Sequence, residues 1–447
     1  MSRPSRVYQR HLALLSARSM RFRELLIEHA SVPECRGIGA SAWRSATQSP
    51  RPRDPETPIR NSSCNPWLLW CRLVCAALSL TASLVTVVAA PAEAGRGYTY
   101  KNDQGRNLSV HVLQVDRKRA DLELVTTLSQ NQILGLGPLT EQIRTIHPGR
   151  GRPLAAINGD FFSERGPYPG DPRGLQIMEG ELVSAPDADA CFWIDTNKQP
   201  RIGVALSQLK VLWPSGSSTP LGLNEDRRLN GAVLYTPRFG SSTYASGGRE
   251  LVLERDGQSP WLPLRAGLTY SARVREIRET GNTRLSRDIM VISLAPHIAA
   301  RIQVPAVGST LRLSMATTPD LKGVQTALGG GPQLVRAGEV QSISQSFFDH
   351  RSHQRHPRTA IGWNSKYFFL VAVDGRQPGL SMGMSLPELA AYMARQGCEE
   401  ALNLDGGGSV EFWLEGNILN SPCYGYERPT ANALVLVQTE KEKGQGQ

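Results

Sequence analysis

The chain is poor in cysteine and histidine, with seven and eight in 447 residues. Cys35, Cys64, Cys71 and Cys75 all fall near the N-terminus, leaving Cys191, Cys398 and Cys423 for the rest of the protein. That excludes a disulfide framework, and no cysteine spacing reads as a zinc site. A Cys398–Cys423 bridge stays open; closing that loop would stabilise by about 3 kcal/mol on chain entropy. No basic stripe interleaved with aromatic residues is present, which argues against nucleic-acid binding. No internal repeat is apparent. Long uncharged apolar runs are missing too, with one exception at residues 73–90.

That run follows Arg72 and ends in Pro91-Ala92-Glu93-Ala94, a small-x-small pattern suited to signal peptidase cleavage before Gly95. The alternative is an uncleaved anchor, because 18 apolar residues come close to spanning a bilayer. Either reading puts the large domain outside the cytoplasm: periplasmic, extracellular or anchored. The preceding stretch is rich in Arg and Pro and far longer than a secretory n-region, so the true start is expected downstream of Met1. The net charge of +10 is uneven: residues 1–94 hold 12 Arg against 6 acidic residues, and the remainder 38 basic against 34 acidic. A mild surplus on a large domain fits an anionic small substrate or polymer. The expected organisation is an extension with signal or anchor (1–94), one large domain (95–440) with a β-rich inserted or peripheral region at about 205–325, and a polar tail (441–447).

After Gly95 the pattern is one of short strands and hairpins. Asn107–Val115 and Asp121–Thr127 are β-favouring runs, Leu154–Ile157 a strand, and Gly174–Ser184 a hairpin turning at Glu179-Gly180. Pro138–Ile146 predicts a short helix and Ser385–Gly397 a clear one, with Ser385 and Glu388 as a capping box and Gly397 as the stop. Two apolar strands end in Asp-Gly: Phe368–Val373 before Asp374, and Ala401–Leu404 before Asp405. Strand-end carboxylates followed by glycine are well placed to meet in a cleft at a sheet edge.

The segment Asn403-Leu-Asp-Gly-Gly-Gly-Ser409 carries the most chemical information. Gly406, Gly407 and Gly408 can turn backbone N–H groups to one side and cradle an anion beside the Asp405 carboxylate. A tight turn between strands is the plain alternative. Arg358 could grip a phosphate bidentately, and Arg376 and Arg428 are further candidates, each with a surface ion pair as its bland reading. Glu427 could be a second acid or base, or simply pair with Arg428. Asn158 could bond a sugar hydroxyl or cap a turn. His350, His353 and His356 recur beside Asp349 in a polar loop, so no metal site is assigned, although a divalent cation is conceivable. Tyr424, Tyr426 and Trp413 could stack on a sugar, with Trp413 expected in the core.

Ala156-Ile-Asn-Gly-Asp-Phe-Phe162, Gly329-Gly-Gly-Pro332, Arg358-Thr-Ala-Ile-Gly362, Val373-Asp-Gly-Arg-Gln377 and Asn403–Ser409 followed by Glu427-Arg-Pro429 resemble the phosphodiester glycosidase family. The similarity is dense over about 326–437 and thinner over 153–184. Asp160 lies where members vary, and Val410 stands where a second Ser or Thr is common. The resemblance implies an α+β fold of mixed, largely antiparallel sheets with a few packed helices and a site at strand ends. It also implies hydrolysis of a sugar-1-phosphodiester, N-acetylglucosamine-1-phosphodiester-like, at the anomeric C–O bond. In that reading Asp405, Asp374 and Glu427 are catalytic. Gly406, Gly407, Gly408, Ser409, Arg358 and Arg376 hold phosphate, and Asn158, Asp160 and Arg428 meet the rest of the substrate. The expected partner is a glycan or sugar phosphate, with no cofactor, no nucleic acid, and membrane contact only through an N-terminal anchor. A metal-dependent phosphodiesterase and a non-enzymatic binder of anionic polysaccharide are the rival readings.

Overall fold

A computed structural model describes residues 95–166, 168–227, 231–343 and 353–440. The leader, its apolar run, the tail and His350 lie outside them. No described helix is long and apolar enough to cross a membrane.

Among the described residues the strands form three sheets, and the pairing is antiparallel except between Gly222–Leu223 and Ala232–Tyr235. With a few short helices, this is the expected α+β arrangement in a mainly β form. The seven-stranded sheet has at its centre Leu108–Asp116, Tyr367–Val373, Arg358–Trp363 and Glu400–Asn403, in that order. Apolar side chains alternate to its two faces. Leu113, Leu370 and Leu402 join one core, shared with Leu154, Ile157 and Phe412 of the five-stranded sheet. Val112, Val371 and Ala401 face the other, against the helix Leu386–Arg395.

That helix forms as its sequence dictates. The Ser385 side chain accepts the Glu388 N–H while the Glu388 carboxylate accepts the Ser385 N–H, and Gly397 takes φ +82° just past the end. The first helix is shorter than predicted, Leu139–Arg144. The hairpin Gln176–Met178 with Glu181–Ser184 turns through Glu179 and Gly180, both at positive φ, as a two-residue hairpin turn requires.

The twelve-stranded sheet contains the β-rich region near 205–325 and continues through Asp187–Ile194, Thr326–Gly329 and the 176–184 hairpin. Its core is the largest apolar cluster, with Leu209, Leu234, Leu253, Tyr270, Ile292 and Leu313 fully or almost fully buried. Cys398 and Cys423 are both free thiols, which settles the open pairing. Burial pushes the Cys398 thiol up to about 12.

Candidate active site

Sheet topology collects the site. The Arg358–Trp363 strand runs antiparallel to both Tyr367–Val373 and Glu400–Asn403, so those two run parallel to each other. Arg358 pairs with Val373, and Ala360 with Asn403. Asp374 and Asp405 therefore leave the sheet at the same edge, on either side of Arg358, about 10 Å apart by two strand spacings. The Arg152–Asn158 strand arrives from the five-stranded sheet, and the Gly159 carbonyl accepts the Asp405 N–H at 3.0 Å.

Asn158 clamps this junction. Its Nδ2 donates to the Asp405 carbonyl (2.8 Å) and its Oδ1 accepts the Thr359 hydroxyl (2.6 Å). Fully buried with both ends of its amide engaged, Asn158, expected to meet the sugar, serves here as a bracket between two sheets.

Asp405 is half-buried. Loss of water around its carboxyl raises its pKa, while the Ser409 hydroxyl, the Gly406 N–H, Arg428 and Arg173 act the other way. Asp160 lies beside it, 4% exposed, its oxygens accepting the N–H groups of Phe161 (2.7 Å) and Gly174 (2.9 Å). Burial, then Asp187, then Asp405 push the Asp160 carboxyl well above the usual range. A Cβ on Gly329 would sit 2.3 Å from Asp160 Oδ2, so the Gly329–Pro332 motif leaves room for this carboxyl. Asp187 belongs to the same group. Its Oδ1 faces Gly174, and burial together with Asp189 lifts its carboxyl to about 6.

Asp374 is placed differently. His111 Nε2 and the Ser109 hydroxyl each meet its Oδ2 at 2.9 Å, and the Ser421 N–H donates to Oδ1 at 2.8 Å. Tyr100 Oη lies 2.8 Å from the far nitrogen of His111. Asp374 is 2% exposed and anchors the 420–421 turn, so its oxygens are committed to structure. Glu427 is also committed: its carboxylate accepts the Thr140 N–H (2.9 Å) and hydroxyl (3.0 Å) at the start of the first helix. Both of these carboxylates, expected to be catalytic, thus hold structural hydrogen bonds here. Arg428 does not pair with Glu427; it donates to Ser409 Oγ (2.9 Å), bridges to Glu164 (3.1 Å) and lies over the Phe162 ring.

The glycine loop is not a cradle of three free N–H groups. The Gly406 N–H donates to Asp405 Oδ1 (2.9 Å) and the Gly407 N–H to the Pro357 carbonyl (2.9 Å). What the loop does provide is close approach. Gly407 takes φ +64°, and a Cβ there would meet the Arg376 guanidinium at 3.0 Å; the Arg358 side chain passes Gly406. Arg358 donates to the carbonyls of Met384 (2.9 Å) and Gln354 (3.1 Å). Burial, then the neighbouring Arg376 charge, lowers its pKa to about 10. Two guanidinium groups thus lie against this loop, with Asp405 near enough to act on the Arg358 charge.

Tyr424 and Tyr426 are exposed and lie nearly parallel to each other, whereas Trp413 is core as expected. Among the described residues no set of three His, Cys, Asp or Glu is grouped to hold a metal ion. A cavity of about 150 Å³ bounded by His147, Arg150, Glu179 and Arg238 stands apart from every predicted site residue. Its arginines pair with Glu179 (3.3 Å) and Glu181 (2.8 Å).

Sequence reasoning missed His111, Asp187 and Glu411. Glu411 is the one that left a signal, as a lone acid inside the apolar run Val410–Trp413. It is fully buried. Its Oε2 takes the Leu139 N–H at 3.3 Å and its Oε1 has no hydrogen bond.

With this geometry in place, residues 284–437 match the phosphodiester glycosidase family. The match holds the Gly329–Pro332, Arg358–Gly362, Val373–Gln377, Asn403–Ser409 and Glu427–Pro429 segments, and leaves out 156–162. The N-acetylglucosamine-1-phosphodiester alpha-N-acetylglucosaminidase of Bos taurus is 39% identical over 66 residues, 14% of this chain and 12% of that protein. The chain thus spans a small part of that relative's length. A solved structure of a hypothetical protein from Synechocystis superposes with a TM-score of 0.61 at 23% identity, covering 76% of this chain and 62% of the other. A protein from Burkholderia pseudomallei K96243 carrying the designation of an exported protein gives 0.56 at 24% identity, covering 74% of each. These two share the fold. Over residues 284–437 the chain is thus similar to the phosphodiester glycosidase family, which supports a glycosidase-type hydrolase.

Proposed function

We propose that the protein hydrolyses the anomeric C–O bond of a sugar-1-phosphodiester of the N-acetylglucosamine type, acting outside the cytoplasm on exported or cell-surface glycans. One observation carries the reading. A half-buried carboxylate, Asp405, shares a seven-residue segment with a glycine loop against which two arginines, Arg358 and Arg376, are packed. Like charges held that close are relieved by an anion, and the nearest ligand atom beyond a phosphate is the anomeric carbon.

The departing phosphate ester is already a stable anion, so protonating it matters less than in ordinary glycoside hydrolysis. Arg358 and Arg376 take the charge that develops on it. Asp405 takes the proton of the attacking water or attacks the sugar itself, and Ser409 and Arg428 favour its ionised form against the effect of burial. Burial and the neighbouring Asp187 push the Asp160 carboxyl toward its neutral form, which lessens the negative charge beside Asp405. Ser109, His111 and Asp374 hold the 420–421 turn that leads to Cys423, whose thiol reaches the Gly407 carbonyl. Export is supported by the apolar run at 73–90 and by the designation of the Burkholderia neighbour.

The test is incubation of the purified protein with an N-acetylglucosamine-1-phosphodiester, with and without EDTA. Release of free sugar and a phosphate monoester in both supports the proposal. Activity lost in EDTA would favour a metal phosphodiesterase, and tight binding without turnover would favour a polysaccharide-binding protein.

A further inference from the structure

Glu411 is a buried acid that the mechanism above does not use. Its carboxyl has one oxygen without a hydrogen-bond partner and the other at 3.3 Å from the Leu139 N–H, with the Arg428 backbone N–H also turned toward the carboxyl. A carboxylate in that setting loses its hydration for weak backbone contacts alone, so burial favours the neutral form. Its surroundings are otherwise part of the site. The Glu411 N–H donates to Asn158 Oδ1 at 3.3 Å, and the same Asn158 holds the Asp405 carbonyl. The charged groups facing the carboxyl are Glu427 and Arg428, with the Leu139 N–H presented by the first helix. Glu427 is fixed to Thr140, and Glu141 on that helix turns toward Gly137. Arg428 is the cation that reaches both Ser409 and the field of Asp405.

We propose that Glu411 is a positioning residue which, by holding a proton, leaves Arg428 to Ser409 and Asp405 and keeps a further negative charge out of the phosphodiester site. This rests on the function proposed above. When the proton leaves, Arg428 shares its charge with a new buried anion, its hold on Ser409 weakens, and an anionic substrate meets a more negative cleft. The effect belongs in KM and in the alkaline limb of kcat/KM. Burial, then Glu427, raises the Glu411 carboxyl to about 8, which sets where that limb falls.

The experiment is the pH profile of kcat and KM for the full chain and Glu411→Gln, with an N-acetylglucosamine-1-phosphodiester from pH 6 to 9.5. Wild type should lose about tenfold in kcat/KM above pH 8, chiefly through KM, and Glu411→Gln should stay nearly flat. A limb that persists unchanged in the glutamine variant overturns the inference while leaving the hydrolase reading intact. No turnover by wild type at any pH overturns both. Should the variant not fold, the infrared band of protonated carboxyl in wild type decides. Its loss in step with activity near pH 8 supports Glu411, and a band that does not titrate there overturns it.

Discussion

Two buried glutamates, one in each half of the molecule, show what separates scaffold from site. Glu250, in the large sheet, is fully buried and accepts the Thr243 hydroxyl (2.7 Å), the Ser293 hydroxyl (2.9 Å) and the Thr283 N–H (2.9 Å). Arg227 nearby donates to the carbonyls of Ser246 and Gly247 and to Ser293. Glu411 is equally buried but leaves one oxygen without a hydrogen bond. A satisfied buried acid fixes a fold, whereas an unsatisfied one stores free energy that a fold alone does not need. The same contrast divides the aspartates: both oxygens of Asp374 are engaged by neighbours on three segments, whereas the Asp405 carboxyl is met from its own loop, by Gly406 and Ser409.

The sharpest way to test that division is Asp405→Asn. It should lower kcat by about 10³-fold with little change in melting temperature, measured by single-turnover kinetics and calorimetry. Glu250→Ala should do the reverse. Stranding several buried donors costs about 3 kcal/mol of stability, read by urea unfolding, while turnover per folded molecule is retained. If Glu250→Ala impaired turnover and Asp405→Asn did not, the division between the halves would be wrong. Arg376→Met, at an exposed position, should raise KM about 10- to 100-fold, since a hydrogen bond between charged groups is worth about 1.5–3 kcal/mol. The same substitution should leave kcat closer to wild type.

The smallest expected effect concerns stability and pH. The folded Glu411 pKa of about 8 lies above that of an unfolded glutamate, so the folded state binds the extra proton. Its stabilising contribution is fully present below the unfolded pKa and is lost as pH rises toward 8. Glu411→Gln should therefore match wild type in denaturant midpoint at about pH 4 and exceed it at pH 8. Equal stabilities at both pH values would show that Glu411 is better satisfied than its contacts indicate.

Local chemistry made much of this legible in the sequence. Ser385 and Glu388 announced a helix start, Glu179-Gly180 a two-residue turn, and two apolar runs ending in Asp-Gly announced strand ends at one edge. What stayed hidden depends on partners distant in the chain. His111 meets Asp374 across 263 positions and Thr140 meets Glu427 across 287, so neither carboxylate could be recognised as structural beforehand. The glycines were read as an anion cradle, but the N–H groups of Gly406 and Gly407 go to Asp405 and Pro357, partners that only the folded loop brings near. Asp187 escaped because a bulge at the start of its strand aims it.

The central claim is that the bond broken is the sugar C–O bond at Asp405. Hydrolysis of an N-acetylglucosamine-1-phosphodiester in ¹⁸O-labelled water, analysed by mass spectrometry, tests it most directly. The account predicts label on the sugar and none on the phosphate monoester; label on phosphate would contradict it.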